Sequence, residues 1–195
     1  NPANKELLEE LRKQEADTQV KLTEVQKQEL QKRLSDLQQD AEERISITEA
    51  ANAQGLLDNQ QAAAATAQIQ EASANKQIEI IRKRIDEVQA EGKKTGKVNQ
   101  ELLEELQAQE ANAQKKIAEI RKQFLQKQLS DLQQDADERL SIVTAQNAKG
   151  DIDNQVAATR SSAIQKQNLD SQLALIQNQL KVVGDTNKEL REELL

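Results

Sequence analysis

The sequence predicts an all-α fold of tandem helical repeats, each about 95 residues long, and three observations carry that prediction. The 195-residue chain is 1% aromatic, with Phe124 its single ring, and it has no Trp, Tyr, Met, Cys or His. An aromatic side chain buries roughly 150–250 Å², so without them the core must be a narrow Leu/Ile/Val/Ala stripe. The dominant residues (Ala, Glu, Gln, Lys, Leu and Arg) are the strong helix formers, and the apolar ones recur with a helical period. Finally, the chain repeats itself: ELQKRLSDLQQDAEERISITEAANAQG at 29–55 returns as FLQKQLSDLQQDADERLSIVTAQNAKG at 124–150. Charged residues reach 31%, but both signs are interleaved with periodic apolar positions, which argues against disorder.

Aligning Asn4–Gln60 on Asn99–Gln155 gives 37 identities in 57 positions, too many for a shared composition alone. Most exchanges keep class, such as Leu22/Ile117, Val25/Ile120 and Ile45/Leu140. The second halves diverge more but stay in register through Ile69/Ile164, Gln77/Gln172, Ile85/Leu180 and Val88/Val183. A repeat architecture adds one such unit at a time, each contacting its neighbours. A third start, Asn187-Lys-Glu-Leu-Arg-Glu-Glu-Leu194, matches Asn4–Leu11 at all but one position. The predicted organisation is repeat 1 at 1–98, repeat 2 at 99–186 and the opening of a third at 187–195. A chain with no Met that opens a further copy reads as a window on something longer.

In repeat 1 the pattern predicts helices over 4–53 and 57–90, with a linker at 91–98. In repeat 2 it predicts helices over 99–148 and 151–183. The first helix carries an a/d-type seam through Leu11, Leu22, Val25, Leu34, Leu37 and Ile45. Its counterpart runs through Leu106, Ile117 and Ile120, with Glu110 a polar intruder. The stripe slips by one residue after Phe124 and continues through Leu125, Leu129, Leu132 and Leu140. Gly55 and Gly150 are placed to end these helices in the left-handed conformation. Asp151 is the expected N-cap of the next helix, while in repeat 1 that role falls to Asp58 or is absent. The last helix presents Leu173 and Leu180. Gly92 and Gly96 mark the most loop-like stretch. Gly184 marks the next junction, where Thr186 and Glu189 have capping-box spacing.

Two geometries fit this pattern. If Gly55 and Gly150 are turns, each repeat folds back as an antiparallel helical hairpin, and the hairpins form a bundle. If they are tolerated inside helices, the chain is an extended coiled coil of up to about 290 Å. A glycine at the matching place in both copies favours turns.

Catalytic constellations fail for want of parts. Without His or Cys there is neither a Ser-His or Cys-His nucleophile pair nor a His/Cys zinc site. Gly92-Lys-Lys-Thr-Gly96-Lys97-Val98 has one residue too few between its glycines for a phosphate loop, and Val98 where Ser or Thr should stand. Asp151-Ile-Asp153 opens like a calcium loop but has Val156 where glycine is required. No enzyme, cofactor, metal or small-molecule substrate is therefore expected. The net charge of −7 disfavours a nucleic-acid partner. A membrane-surface helix would carry aromatics and a basic polar face, which this chain lacks. No apolar run approaches the roughly 20 residues of a span, and no targeting signal is visible. The expected partner is protein, through self-association or packing within an enclosing assembly.

The doubled Leu-Ser-Asp-Leu-Gln-Gln-Asp-Ala-x-Glu-Arg block and the Asn-x-Glu-Leu-x-Glu-Glu-Leu starts lie in a long aromatic-poor helical array. In that style the chain resembles the helical middle region of phage tail tape-measure proteins. The resemblance implies several copies inside a tail tube, with helix length setting tube length and a virion interior as location. The alternatives are a spectrin-like stalk or spacer and a helical-repeat module that binds a protein partner.

Overall fold

The computed structural model describes residues 2–95 and 98–183, with side-chain surroundings for 5–94 and 98–182. Four helices follow in order: α1 Pro2–Ala53, α2 Asn59–Thr95, α3 Gln100–Ala148 and α4 Asn154–Val183. No strand occurs among the described residues, and the fold is all-α. At 1.5 Å per residue α1 and α3 are about 75 Å long, α2 about 55 Å and α4 about 45 Å. Gly96, Gly184, Thr186 and the third repeat start at 187–195 lie outside the described residues.

The helix ends show how the chain reverses. After α1, Gly55 takes φ +71°, which costs a residue without Cβ little. Its N–H donates to the Asn52 carbonyl at 2.9 Å, and the Leu56 N–H reaches back to the Ala51 carbonyl at 2.9 Å. These two bonds make a Schellman motif and satisfy carbonyls that the helix end leaves open. After α3, Gly150 takes φ +78°. Gly150 and Asp151 donate to the Asn147 and Gln146 carbonyls, each at 3.0 Å. Across the turns, Asn52 Nδ2 donates to Asn59 Oδ1 at 3.2 Å, and Asn147 Nδ2 to Asn154 Oδ1 at 3.1 Å. The two reversals are the same structure, written by the same residues.

Asp58 caps α2. Its carboxylate accepts from the Gln61 N–H at 2.7 Å, and Gln61 Oε1 accepts in return from the Asp58 N–H at 3.2 Å. That reciprocal pair is a capping box. In the second copy the cap is Asp153, which accepts from the Val156 N–H at 2.8 Å, and not Asp151 as the sequence suggested. The Asp151 N–H is engaged in closing α3, so the next helix starts later.

The linker expected at 91–98 is shorter than predicted, because α2 runs on to Thr95. Gly92 lies inside the helix, where it costs only about 1 kcal/mol against Ala. Lys93 and Lys94 in the last turn suit the negative end of the helix dipole. A side chain at 92 would meet Val98: a Cβ there falls 2.9 Å from the Val98 Cα and closer still to Cγ2. The glycine is there for the close approach of the returning chain, which Asn99 then turns into α3 by accepting from the Leu102 N–H at 3.1 Å.

The helices divide into two compact units, Asn1–Ala50 with Ile69–Gln114, and Ala51–Gln68 with Lys115–Leu195. In the first, Leu30 of α1, Ile81 and Val88 of α2, and Leu102 and Leu106 of α3 form one buried cluster, flanked by Leu34, Ile80 and Ile85. Ser73 Oγ donates to the Leu37 carbonyl, and the Arg84 guanidinium donates to Gln26 Oε1. Those pairs run α1 and α2 antiparallel. In the second unit, Ala136 and Val143 of α3 meet Ala157 and Ile164 of α4, with Leu140 and Ile152 against them. Asn168 and Gln172 both donate to Gln133 Oε1, again from antiparallel helices.

Gly55→Ala and Gly150→Ala have open space for the new methyl, so each should lose only the left-handed backbone cost, about 1–2 kcal/mol in urea denaturation. Gly92→Ala should also lose stability, because the collision with Val98 outweighs the roughly 1 kcal/mol of helix propensity gained.

Candidate helix-packing surface

The residues that matter here are the apolar stripes, and the two copies use them differently. Near the turns both copies are buried alike: Ala41/Ala136, Thr48/Val143, Ala62/Ala157 and Ile69/Ile164 are all inside. Thr48 can stand where Val143 stands because its hydroxyl donates to the Arg44 carbonyl at 3.0 Å and leaves no unmet polar group.

Away from the turns the copies part. Leu106 is 1% exposed, whereas its equivalent Leu11 is 55% exposed. Ile117 and Ile120 are buried, whereas Leu22 and Val25 are open. The reverse holds at the other end, where Ile78 is 8% exposed and its equivalent Leu173 is 55% exposed. Leu34, Leu37, Ile45, Leu129, Leu132, Leu140 and Leu180 are half-buried. The seam expected through Leu11, Leu22, Val25 and Leu173 is thus not closed. The residues are of the predicted kind at the predicted spacing, but among the described residues they stay exposed.

Sequence reasoning missed the stripe of α2. Ala74, Ile78, Ile81 and Val88 are buried, with Ile85 half-buried beside them. Their alternating spacing of four and three residues carried the signal. Leu102 was missed as well, whereas Leu30, which stands in the first copy's apolar stripe, is buried as expected.

Polar contacts at the surface of the first unit also link its helices. Glu110, the intruder in the seam, accepts from Arg82 Nε of α2 at 2.6 Å. Lys27 Nζ of α1 meets Glu105 Oε2 of α3 at 2.6 Å. The hydrogen bond that Lys27 donates to the Glu105 carboxylate holds the Lys27 pKa above the ordinary lysine value. A raised lysine pKa means that the pair contributes in full at neutral pH and fades only as pH climbs past the lysine range. The doubled Gln-Gln block spends its polar face locally, Gln38 on Glu42 and Gln39 on Glu43, then Gln133 on Asp137 and Gln134 on Glu138.

Two grooves sit at equivalent places in the two copies. In the second unit, Phe124, Gln128, Ser171, Ala174 and Asn178 line a groove that also takes Ala63 and Ala64 from the start of α2. In the first unit the same positions are Glu29, Arg33, Lys76, Glu79 and Lys83. One groove is built to receive a helix, and the other is charged. Among the described residues no group of three or more His, Cys, Asp or Glu side chains could hold a metal, and no helix is long and apolar enough to cross a membrane. No family model, curated protein or solved structure matches the chain.

The same letter should therefore carry different weight in the two copies. Leu106→Ala should cost about 2–5 kcal/mol in chemical denaturation at low protein concentration. Leu11→Ala should stay within about 0.5 kcal/mol of the parent.

Proposed function

We propose that this chain is a non-enzymatic structural module, a spacer of tandem helical hairpins in which each copy completes the core of its neighbour. The observation that carries the reading is the contrast between turn and root. Residues near each turn are buried alike in both copies, whereas Leu102 and Leu106 are buried where their equivalents Leu7 and Leu11 are not. A hairpin whose root is buried only against another copy is a stacking unit. Each copy contributes contact area and distance.

The likeness to tape-measure regions is a second structural reading, in which helix length sets the length of an enclosing tube. The reversals at Gly55 and Gly150 support the spacer over that ruler, because a chain that folds back delivers less length per residue. The charge-poor Gln/Ala face suits packing against protein and offers nothing to phosphate.

Stacked repeats gain stability unit by unit. Inserting a further copy of residues 99–186 after residue 186 should keep helicity per residue constant in circular dichroism. It should also raise the urea m-value by roughly half, in proportion to the added buried surface. An inserted copy that leaves the m-value unchanged, or melts in a separate transition, would sink the stacking reading.

A further inference from the structure

We propose that the first half of α1 pairs with the same stretch of a second copy of this chain, antiparallel and about a two-fold axis, in a short coiled coil. The proposal goes beyond the stacking reading and does not rest on it, since it needs only this part of α1. Every residue from Lys5 to Leu22 is exposed. Leu8, Leu11, Leu22 and Val25 are each half exposed or more, and Leu7 beside them is 56% exposed.

These leucines and the valine are not scattered. Leu8, Leu11, Glu15, Thr18, Leu22 and Val25 succeed one another at alternating steps of three and four residues, the a/d spacing of a coiled coil. A helix of this length with water all round is marginal alone and is stabilised by covering such a stripe. The same spacing in the second sequence copy is packed: Leu103, Leu106, Ala113, Ile117 and Ile120 are all buried.

The order of the six residues selects the partner and its direction. In an antiparallel pair each a position layers against a d position. Setting Leu8 against Val25 of the other copy also sets Leu11 against Leu22 and Glu15 against Thr18. Apolar layers then meet apolar layers, and the one polar layer meets its own kind. The Thr18 hydroxyl, which donates to the Gln14 carbonyl at 2.7 Å, can turn its hydrogen to the Glu15 carboxylate of the other copy. Sliding the pair by one heptad in either direction puts leucines on Glu15 and Thr18. A parallel pair in register puts the Glu15 carboxylate against its twin, a like-charge contact at an a position. At the flanking positions of the antiparallel pair, Arg12 comes opposite Gln19 and Lys21 opposite Gln14, so no like charges meet there.

The contact uses one surface twice, so it is isologous and closes at two copies. Six layers from so short a seam make a small interface, and the dimer is reversible.

Sedimentation equilibrium of the full chain tests this. The parent should pass from monomer to dimer with rising concentration and stop there. Leu11→Glu with Leu22→Glu should weaken dimerisation on the order of tenfold or more. Thr18→Lys should tighten it roughly two- to tenfold, because each new lysine meets Glu15 of the other copy. All three substituted residues are exposed, so circular dichroism should show the parent helicity in both variants. Direction is read by pulsed electron paramagnetic resonance on Glu6→Cys and, separately, Lys13→Cys, both exposed sites on the outer face of the seam. In the antiparallel dimer the two labels at 6 are offset by roughly 32 Å along the axis and those at 13 by roughly 10 Å. The position 6 distance should therefore be clearly the longer.

A parent still monomeric near about 1 mM, where even a weak specific dimer is populated, would overturn the inference. So would a double glutamate variant that dimerises unchanged. Equal distances at 6 and 13, or weakening by Thr18→Lys, would overturn it in favour of a parallel pair. Growth past two copies would overturn it by placing the α1 stripe on a different surface of the second copy.

Discussion

At Gly55 and Gly150 the backbone enters the left-handed region, and the rest of the structure depends on that reversal. Each Schellman motif closes one helix, and each following aspartate, Asp58 or Asp153, opens the next. With the chain turned back, a stripe too thin to make a globular core meets a second thin stripe. Ala136 and Val143 then have Ala157 and Ile164 to bury against. A continuous helix would leave both stripes in water unless another chain covered them.

A hairpin still has only two helices, and in the second unit the cluster its two narrow stripes bury is Ala136, Val143, Ala157 and Ile164. The buried cluster of the first unit needs three helices, with Leu102 and Leu106 coming from the second sequence copy. That third contribution sets the burial of everything around it. It also explains why near-identical stretches behave differently: an apolar face is core where a neighbour lies on it and open surface where none does. The hydrophobic contribution of one such leucine, about 1.5–3 kcal/mol when fully buried, belongs to the junction and not to the copy.

Much of this was legible in the letters. Helix formers, a seam near the heptad period and a doubled block gave an all-α chain with helix ends close to those observed. Gly55 and Gly150 were readable as turns because glycine stood at the same place in both copies. The remainder depended on what the letters do not state. Gly92 read as a loop residue, yet it sits in α2 because Val98 comes back against it. Asp151 read as a cap, but closing α3 had already engaged its N–H, and Asp153 took the part. Leu11, Leu22, Val25 and Leu173 read as seam, and whether a seam residue is buried is decided by its neighbour.

The fold-back itself is open to direct measurement. The chain has no cysteine, so Lys32→Cys with Glu79→Cys, and separately Lys127→Cys with Ala174→Cys, allow one pair of spin labels in each copy. Pulsed electron paramagnetic resonance should find both pairs within roughly 25 Å, as neighbouring antiparallel helices require. The two distributions should agree, because the turns are equivalent. A distance near 70 Å for either pair is what an unbroken helix would give, and it would contradict the hairpin on which the proposed stacking depends.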